Sequence, residues 1–152
     1  MPSKRYRLKL ATWIVVRESE QPSPRVIQDP KTAALLAQDL VQACDDDKEH
    51  FWVVLLNGKH RYLMHTLVST GTQNASLVHA REVFGPAVRE GAIAVLLVHN
   101  HPSGDPAPSQ EDLQLTRRLG ECGKFLGIEV LDHLIVGNGT GRWLSLKEHG
   151  VL

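Results

Sequence analysis

Residues 99–112 read His-Asn-His-Pro-Ser-Gly-Asp-Pro-Ala-Pro-Ser-Gln-Glu-Asp, and no other stretch of this 152-residue chain restricts its fold as tightly. Ahead of it lies Ala92-Ile93-Ala94-Val95-Leu96-Leu97-Val98, a short apolar run rich in branched side chains, which reads as a buried strand. His99 and His101 follow at i and i+2. An extended backbone sends both imidazoles out of one face and Asn100 out of the other. The Pro-Ser-Gly-Asp segment beyond cannot continue a strand. Ser109 is placed to cap a helix that runs to about Leu126, with Leu113, Thr116, Leu119 and Leu126 at helical period and Gly127 as its C-cap. Asp112 then occupies the third helical position, where the helix favours a negative charge. Its carboxylate can turn toward the backbone or out toward the two imidazoles. Ser109-x-x-Asp112 also reads as a capping box, although Glu or Gln is more usual at its last position, and a His-x-His pair alone often does no more than satisfy a strand end. Taken together, strand, His-x-His, compact loop and capped Asp define three metal ligands with a position left open for a reactive water.

The chain is long enough to bury one core without staples, and it shows no internal repeat. Its 17 basic and 17 acidic residues cancel, which removes any global electrostatic drive toward nucleic acid or an anionic membrane. The basic stretch Lys4-Arg5-Tyr6-Arg7-Leu8-Lys9 is interrupted by apolar residues and suits an edge strand better than a nucleic-acid arm. Cys44 and Cys122 lie far apart in two expected helices, outside any metal or redox spacing, and read as reduced thiols. No apolar run spans a bilayer and no signal-peptide pattern opens the sequence, so a cytoplasmic location is expected.

Along the chain, a strand is expected over Arg5–Arg17, then a loop at Gln21-Pro22-Ser23-Pro24. A helix follows with Asp29 as N-cap, Pro30 at its first position and Leu36, Leu40 and Val41 on its apolar face; it ends at Asp45-Asp46-Asp47-Lys48, a solvated turn lacking calcium-loop spacing. Phe51–Leu56 reads as a strand, Asn57-Gly58 as a tight hairpin turn and His60–Ser69 as the returning strand. The loop Gly71-Thr72-Gln73-Asn74-Ala75 leads to a helix over His79–Arg89, which Gly85-Pro86 is expected to kink or split. Ile128–Val136 is a further strand. The turn Gly137-Asn138-Gly139-Thr140-Gly141, which has no phosphate-loop pattern, hairpins it to Arg142–Ser145. The expected architecture is a single α/β (α+β) domain over residues 29–152, a mixed central sheet flanked by helices, with residues 1–28 as a strand-and-loop extension.

A hydrolytic metal centre of this kind needs a carboxylate to take the water's proton and a donor for the oxyanion, a role that suits a hydroxyl at a helix N-terminus such as Ser109. Imidazole and carboxylate ligands favour zinc over other divalent ions. The spacing His99-x-His101, seven residues, Ser109, two residues, Asp112 resembles that of the JAMM (MPN+) metalloproteases, and more narrowly their RadC-like (UPF0758) branch. Three further segments carry the narrower resemblance: Asn74–Val83, His99-Asn100-His101-Pro102-Ser103-Gly104 and Leu131-Asp132-His133-Leu134-Ile135-Val136-Gly137. The resemblance implies a JAMM/MPN, cytidine-deaminase-like fold and one zinc ion per chain held by His99, His101 and Asp112. It implies Glu49 as general base and acid, in preference to Glu82 and Glu90, and Ser109 as oxyanion donor. The activity it implies is metal-assisted cleavage of a peptide or isopeptide bond in a peptide or protein substrate. Oligomeric state stays open, a homodimer included.

Two other classes compete. MPN domains also serve as non-catalytic scaffolds, usually without the ligands, and the RadC branch is associated with DNA repair. Longer members carry a helix-hairpin-helix region for which this sequence has only a short stretch of different character before Asp29, so DNA binding through it does not carry over. His99-Asn100-His101 spells a nuclease motif whose residues are dispersed over a ββα unit, and zinc deaminases need a Cys-x-x-Cys pair. Asp132-His133 reads as a structural pair, and His60, His65, His79 and His149 have no ligand spacing.

Overall fold

The computed structural model describes residues 26–44, 47–71 and 78–152. The strand expected over Arg5–Arg17, the Gln21–Pro24 loop, Asp45-Asp46 and most of the loop after Gly71 lie outside the described residues. The elements run α1 (Pro30–Ala43), β1 (Glu49–Leu56), β2 (Tyr62–Gly71), α2 (Ala80–Arg89), β3 (Ala94–His101), α3 (Gln110–Leu126), β4 (Glu129–Gly137) and β5 (Trp143–Ser145). The strands form one sheet in the order β2-β1-β3-β4-β5. β3 and β4 are parallel, joined by the α3 crossover, and the remaining pairs are antiparallel. This is the mixed, helix-flanked sheet expected from the sequence.

Each face of the sheet buries a separate apolar cluster. Trp52, Val54, Leu56, Leu96 and Val98 pack under α1, while Phe51, Val53, Leu55, Val95 and Leu97 pack under α2 and α3. β3 is thus covered on both sides, which explains its continuous apolar run, each large side chain contributing about 1.5–3 kcal/mol. α1 begins as expected, with Asp29 accepting from Thr32 N at 2.7 Å and Pro30 at its first position.

Three expectations need correction. α2 runs unbroken through Gly85-Pro86, so the proline does not split it; Val83, Phe84 and Ala87 anchor the turns around it in the core. The buried stripe of α3 is Asp112, Leu115, Thr116, Leu119, Gly120 and Gly123: Thr116 and Leu119 lie in it as expected, whereas Leu113 is only half-buried and Leu126 is 47% exposed. Glycine matters to that stripe because a Cβ at Gly123 would run into the Ile128 carbonyl, so its absence lets the helix close on the sheet. In the β1–β2 hairpin, Asn57 stands first in the turn rather than at its centre: His60 N donates to Asn57 O, the Asn57 carboxamide accepts from Lys59 N and Arg61 N, and His60 takes the left-handed conformation (φ 53°).

Candidate metal centre

β3 remains extended through His101, so His99 and His101 leave the sheet on one face, toward the start of α3. His99 Nε2 and His101 Nε2 stand 3.0 Å apart. The Asp112 carboxylate closes the triangle, with Oδ1 3.3 Å from His99 Nε2 and Oδ2 3.3 Å from His101 Nε2. Glu49, first residue of β1, brings Oε1 to 3.9 Å from His99 Nε2. Ligand atoms of these four residues all lie within 4.8 Å of one another, the only such metal-competent cluster among the described residues. A cleft of about 390 Å³ opens onto the group, lined by Glu49, His101, Pro102, Ser103, Ser109, Glu111 and Asp112. His99, 2% exposed, lies beneath it with its ring stacked on Phe51 (centroids 5.9 Å).

The helix cap and the approach of Asp112 to the two imidazoles are not alternatives. Ser109 Oγ accepts from Asp112 N (3.1 Å) and Asp112 Oδ2 accepts from Ser109 N (2.8 Å), completing a capping box with the shorter acid at its last position. The same carboxylate faces both imidazoles. Burial pushes the Asp112 carboxyl up, but the imidazoles of His101 and His99 beside it outweigh this and hold its pKa well below the usual carboxylate range. For His101, burial pulls the pKa down, and the Asp112 carboxylate with the Asp105 carbonyl more than reverses this.

Two residues outside the cluster shape it. The Asn100 side chain, on the opposite face, accepts from His50 N at 2.7 Å and donates to Lys48 O at 3.0 Å and to Asn138 Oδ1 at 3.0 Å. One carboxamide thus grips the backbone on both sides of Glu49, just where the β1–β3 ladder ends at Phe51↔His99. His133 stays outside the ligand cluster, and it reaches Asp132 through its backbone N–H (2.6 Å to Oδ1) rather than through its ring. Asp132 turns to Ser145 Oγ (2.6 Å) and Lys147 N (3.1 Å), whereas the His133 ring places Nε2 2.7 Å from His99 Nδ1 and Nδ1 2.6 Å from Thr116 Oγ1. The parallel register, Leu97↔His133, puts His133 on the same face as His99. Burial, helped by the neighbouring His99, drives the His133 pKa well below that of a free imidazole. A lone polar residue in the otherwise apolar run Leu134-Ile135-Val136 was the signal that could have found it.

The donor set fits a small divalent cation. Bonds of about 2.0–2.1 Å to a tetrahedral zinc put neighbouring ligand atoms about 3.4 Å apart, close to the separations in the His99–His101–Asp112 triangle. Four donor groups converge, and none of the rivals raised by the sequence joins them: Glu82 and Glu90 lie exposed at α2, and His60, His65 and His149 lie elsewhere, His65 bonded to Tyr62 Oη at 2.7 Å and His149 to Ser145 O at 2.8 Å. A mixed sheet presenting His-x-His beside a helix-capping Asp defines a JAB-type α/β domain with a metal-competent site. The chain belongs to the RadC-like JAB domain family, which it matches over residues 27–151. Among its relatives are UPF0758 proteins of Geobacter sulfurreducens, 57% identical over 108 residues (71% of this chain, 46% of the relative), and of Moorella thermoacetica, 52% identical over 130 residues (86% and 55%). One from Clostridium acetobutylicum is 48% identical over 126 residues (83% and 53%). The chain spans about half the length of these curated relatives. No helix among the described residues is long and apolar enough to cross a membrane.

Proposed function

We propose that this domain is a zinc-dependent hydrolase that cleaves an amide bond of peptide or isopeptide type in a peptide or protein substrate. The observation that carries the reading is the convergence of two imidazole nitrogens and a carboxylate, 3.0–3.3 Å apart, beneath an open cleft. His99, His101 and Asp112 would hold one zinc ion, which supplies Lewis acidity toward a carbonyl and a water acidified to a pKa of about 7. Glu49, near the cluster and lining the cleft, is placed to take a proton from a water there and return it to the departing amine nitrogen. The Ser109 hydroxyl accepts from Asp112 N through its oxygen, so its own hydrogen can donate to a substrate oxyanion in the cleft.

The test is elemental analysis of the purified protein beside His101→Ala and Asp112→Ala, followed by hydrolysis assays against peptide and isopeptide libraries with Glu49→Gln as control. One zinc per chain, lost in both ligand variants, with turnover abolished by Glu49→Gln, is the expected result. Failure to take up zinc after reconstitution would overturn the reading and leave a scaffold domain with a capped helix.

A further inference from the structure

Resting on that metal-centre reading, we propose that Thr116 and His133 are positioning residues that dictate which nitrogen of His99 carries its proton, and so set the affinity of the site for a divalent cation. The wiring follows from one group whose role is fixed, a backbone carbonyl at its end. Thr116 Oγ1 lies 2.7 Å from the backbone carbonyl of Asp112, which can only accept, so the hydroxyl hydrogen is committed there. The same oxygen is 2.6 Å from His133 Nδ1 and has only a lone pair left to offer, so the His133 proton sits on Nδ1. His133 Nε2 is then an acceptor, 2.7 Å from His99 Nδ1, which must be the donor. That leaves a bare lone pair on His99 Nε2, aimed at His101 and Asp112.

His101 reaches the same state by a shorter route, its Nδ1 donating to the Asp105 carbonyl at 2.7 Å. Once His101 gives up its second proton, both Nε2 lone pairs and an anionic carboxylate face one another, an arrangement that suits a cation among them. Thr116 and His133 are 0% exposed, so water cannot replace a missing link. The chain also begins on the peptide group of Asp112, which ties the orientation of one ligand to the backbone of another. Removing the hydroxyl while keeping its shape reverses the logic. His133 then gains by moving its proton to Nε2, His99 Nδ1 becomes the acceptor, and the His99 proton moves to Nε2, into the place of the cation.

The discriminating variant is Thr116→Val, compared with Thr116→Ser, His133→Gln and His133→Leu. Zinc affinity is read by competition with a chromophoric chelator, and the His99 tautomer by ¹⁵N NMR of the metal-free protein. Thr116→Val and His133→Leu are expected to weaken zinc binding about 10–100-fold. Thr116→Ser, and His133→Gln with an amide oxygen in place of Nε2, should stay near wild type. In metal-free Thr116→Val the His99 proton should move from Nδ1 to Nε2. Unchanged zinc affinity in a folded Thr116→Val protein, or a His99 proton still on Nδ1, would overturn the proposal; should that variant not fold, the contrast between His133→Gln and His133→Leu decides the matter. A wild type that binds no zinc yet holds its His99 proton on Nδ1 would refute the metal-centre reading and leave the wiring intact.

Discussion

Replacing Asn100 by aspartate changes one NH₂ group into an oxygen, yet it should cost more than removing the side chain altogether. Asn100 is 1% exposed and makes three hydrogen bonds: one accepted from His50 N, two donated to Lys48 O and Asn138 Oδ1. At about 1 kcal/mol net per bond, Asn100→Ala loses about 3 kcal/mol, a substantial part of the roughly 5–15 kcal/mol that holds a domain together. Asn100→Asp keeps the His50 contact but sets a carboxylate oxygen against two acceptors. It forfeits about 2 kcal/mol of bonds, suffers repulsion at both, and buries a charge at about 1.4 kcal/mol for each unit by which its pKa rises. A raised folded-state pKa contributes stability below the unfolded value that is lost as pH rises through the folded one. Asn100→Asp should therefore fall below Asn100→Ala at pH 7.5 and recover relative to it near pH 4.5, where a protonated acid can donate. Urea melts of the three metal-free proteins at both pH values measure this. An aspartate variant at least as stable as the alanine variant at pH 7.5, or a gap indifferent to pH, would refute the assigned carboxamide orientation and with it the grip on Glu49.

Further outcomes are expected elsewhere. A Cβ at Gly137 would run into the carbonyl of Gly104, so Gly137→Ala should destabilise by at least the roughly 1–3 kcal/mol typical of overpacking and disturb the loop after His101, read by thermal melts and zinc affinity. Ser109→Ala removes the hydroxyl cap of α3 and should cost about 1 kcal/mol in a urea melt while zinc remains bound. Burial raises the Asp132 carboxyl pKa against its bonds from Ser145, Lys147 and His133, so wild type should gain on Asp132→Asn as pH falls through the raised pKa toward 3.8. Zinc at about 100 times its Kd should stabilise the protein by about 2.7 kcal/mol, visible as a higher Tm that a chelator and His101→Ala both abolish.

The convergence of His99, His101 and Asp112 was legible because its signals are local: a strand period of two for the histidines, and a helix cap that fixes the position of Asp112. Glu49 could be placed only by resemblance, since nothing in its neighbourhood announces that β1 will pair with β3 and bring it across 50 residues of chain. Thr116 reads as one more residue of a helical stripe, and His133 as a strand histidine beside an acid. Alternation within β4 in fact sends Asp132 and His133 to opposite faces, which argues against pairing of their side chains; that His133 then meets His99 depends on the parallel register of β3 and β4. The course of α2 through Pro86 likewise escaped local reasoning, because burial of Val83, Phe84 and Ala87 overrides the missing hydrogen bond.

The hydrogen bonds that surround the centre join residues 50, 34 and 17 positions apart in sequence, through His50–Asn100, His99–His133 and Thr116–His133. As the chain leaves the ribosome, His99, His101 and Asp112 all emerge before β4 exists. Until residue 133 has joined the sheet, His99 Nδ1 lacks the partner that dictates its tautomer, although β3 can already pair with β1. The centre therefore draws on the whole fold, and fraying of β4 is expected to loosen it by withdrawing His133 from His99. Amide exchange at Leu134 and Ile135 should accordingly report the integrity of the cluster more faithfully than exchange in the loop between β3 and α3.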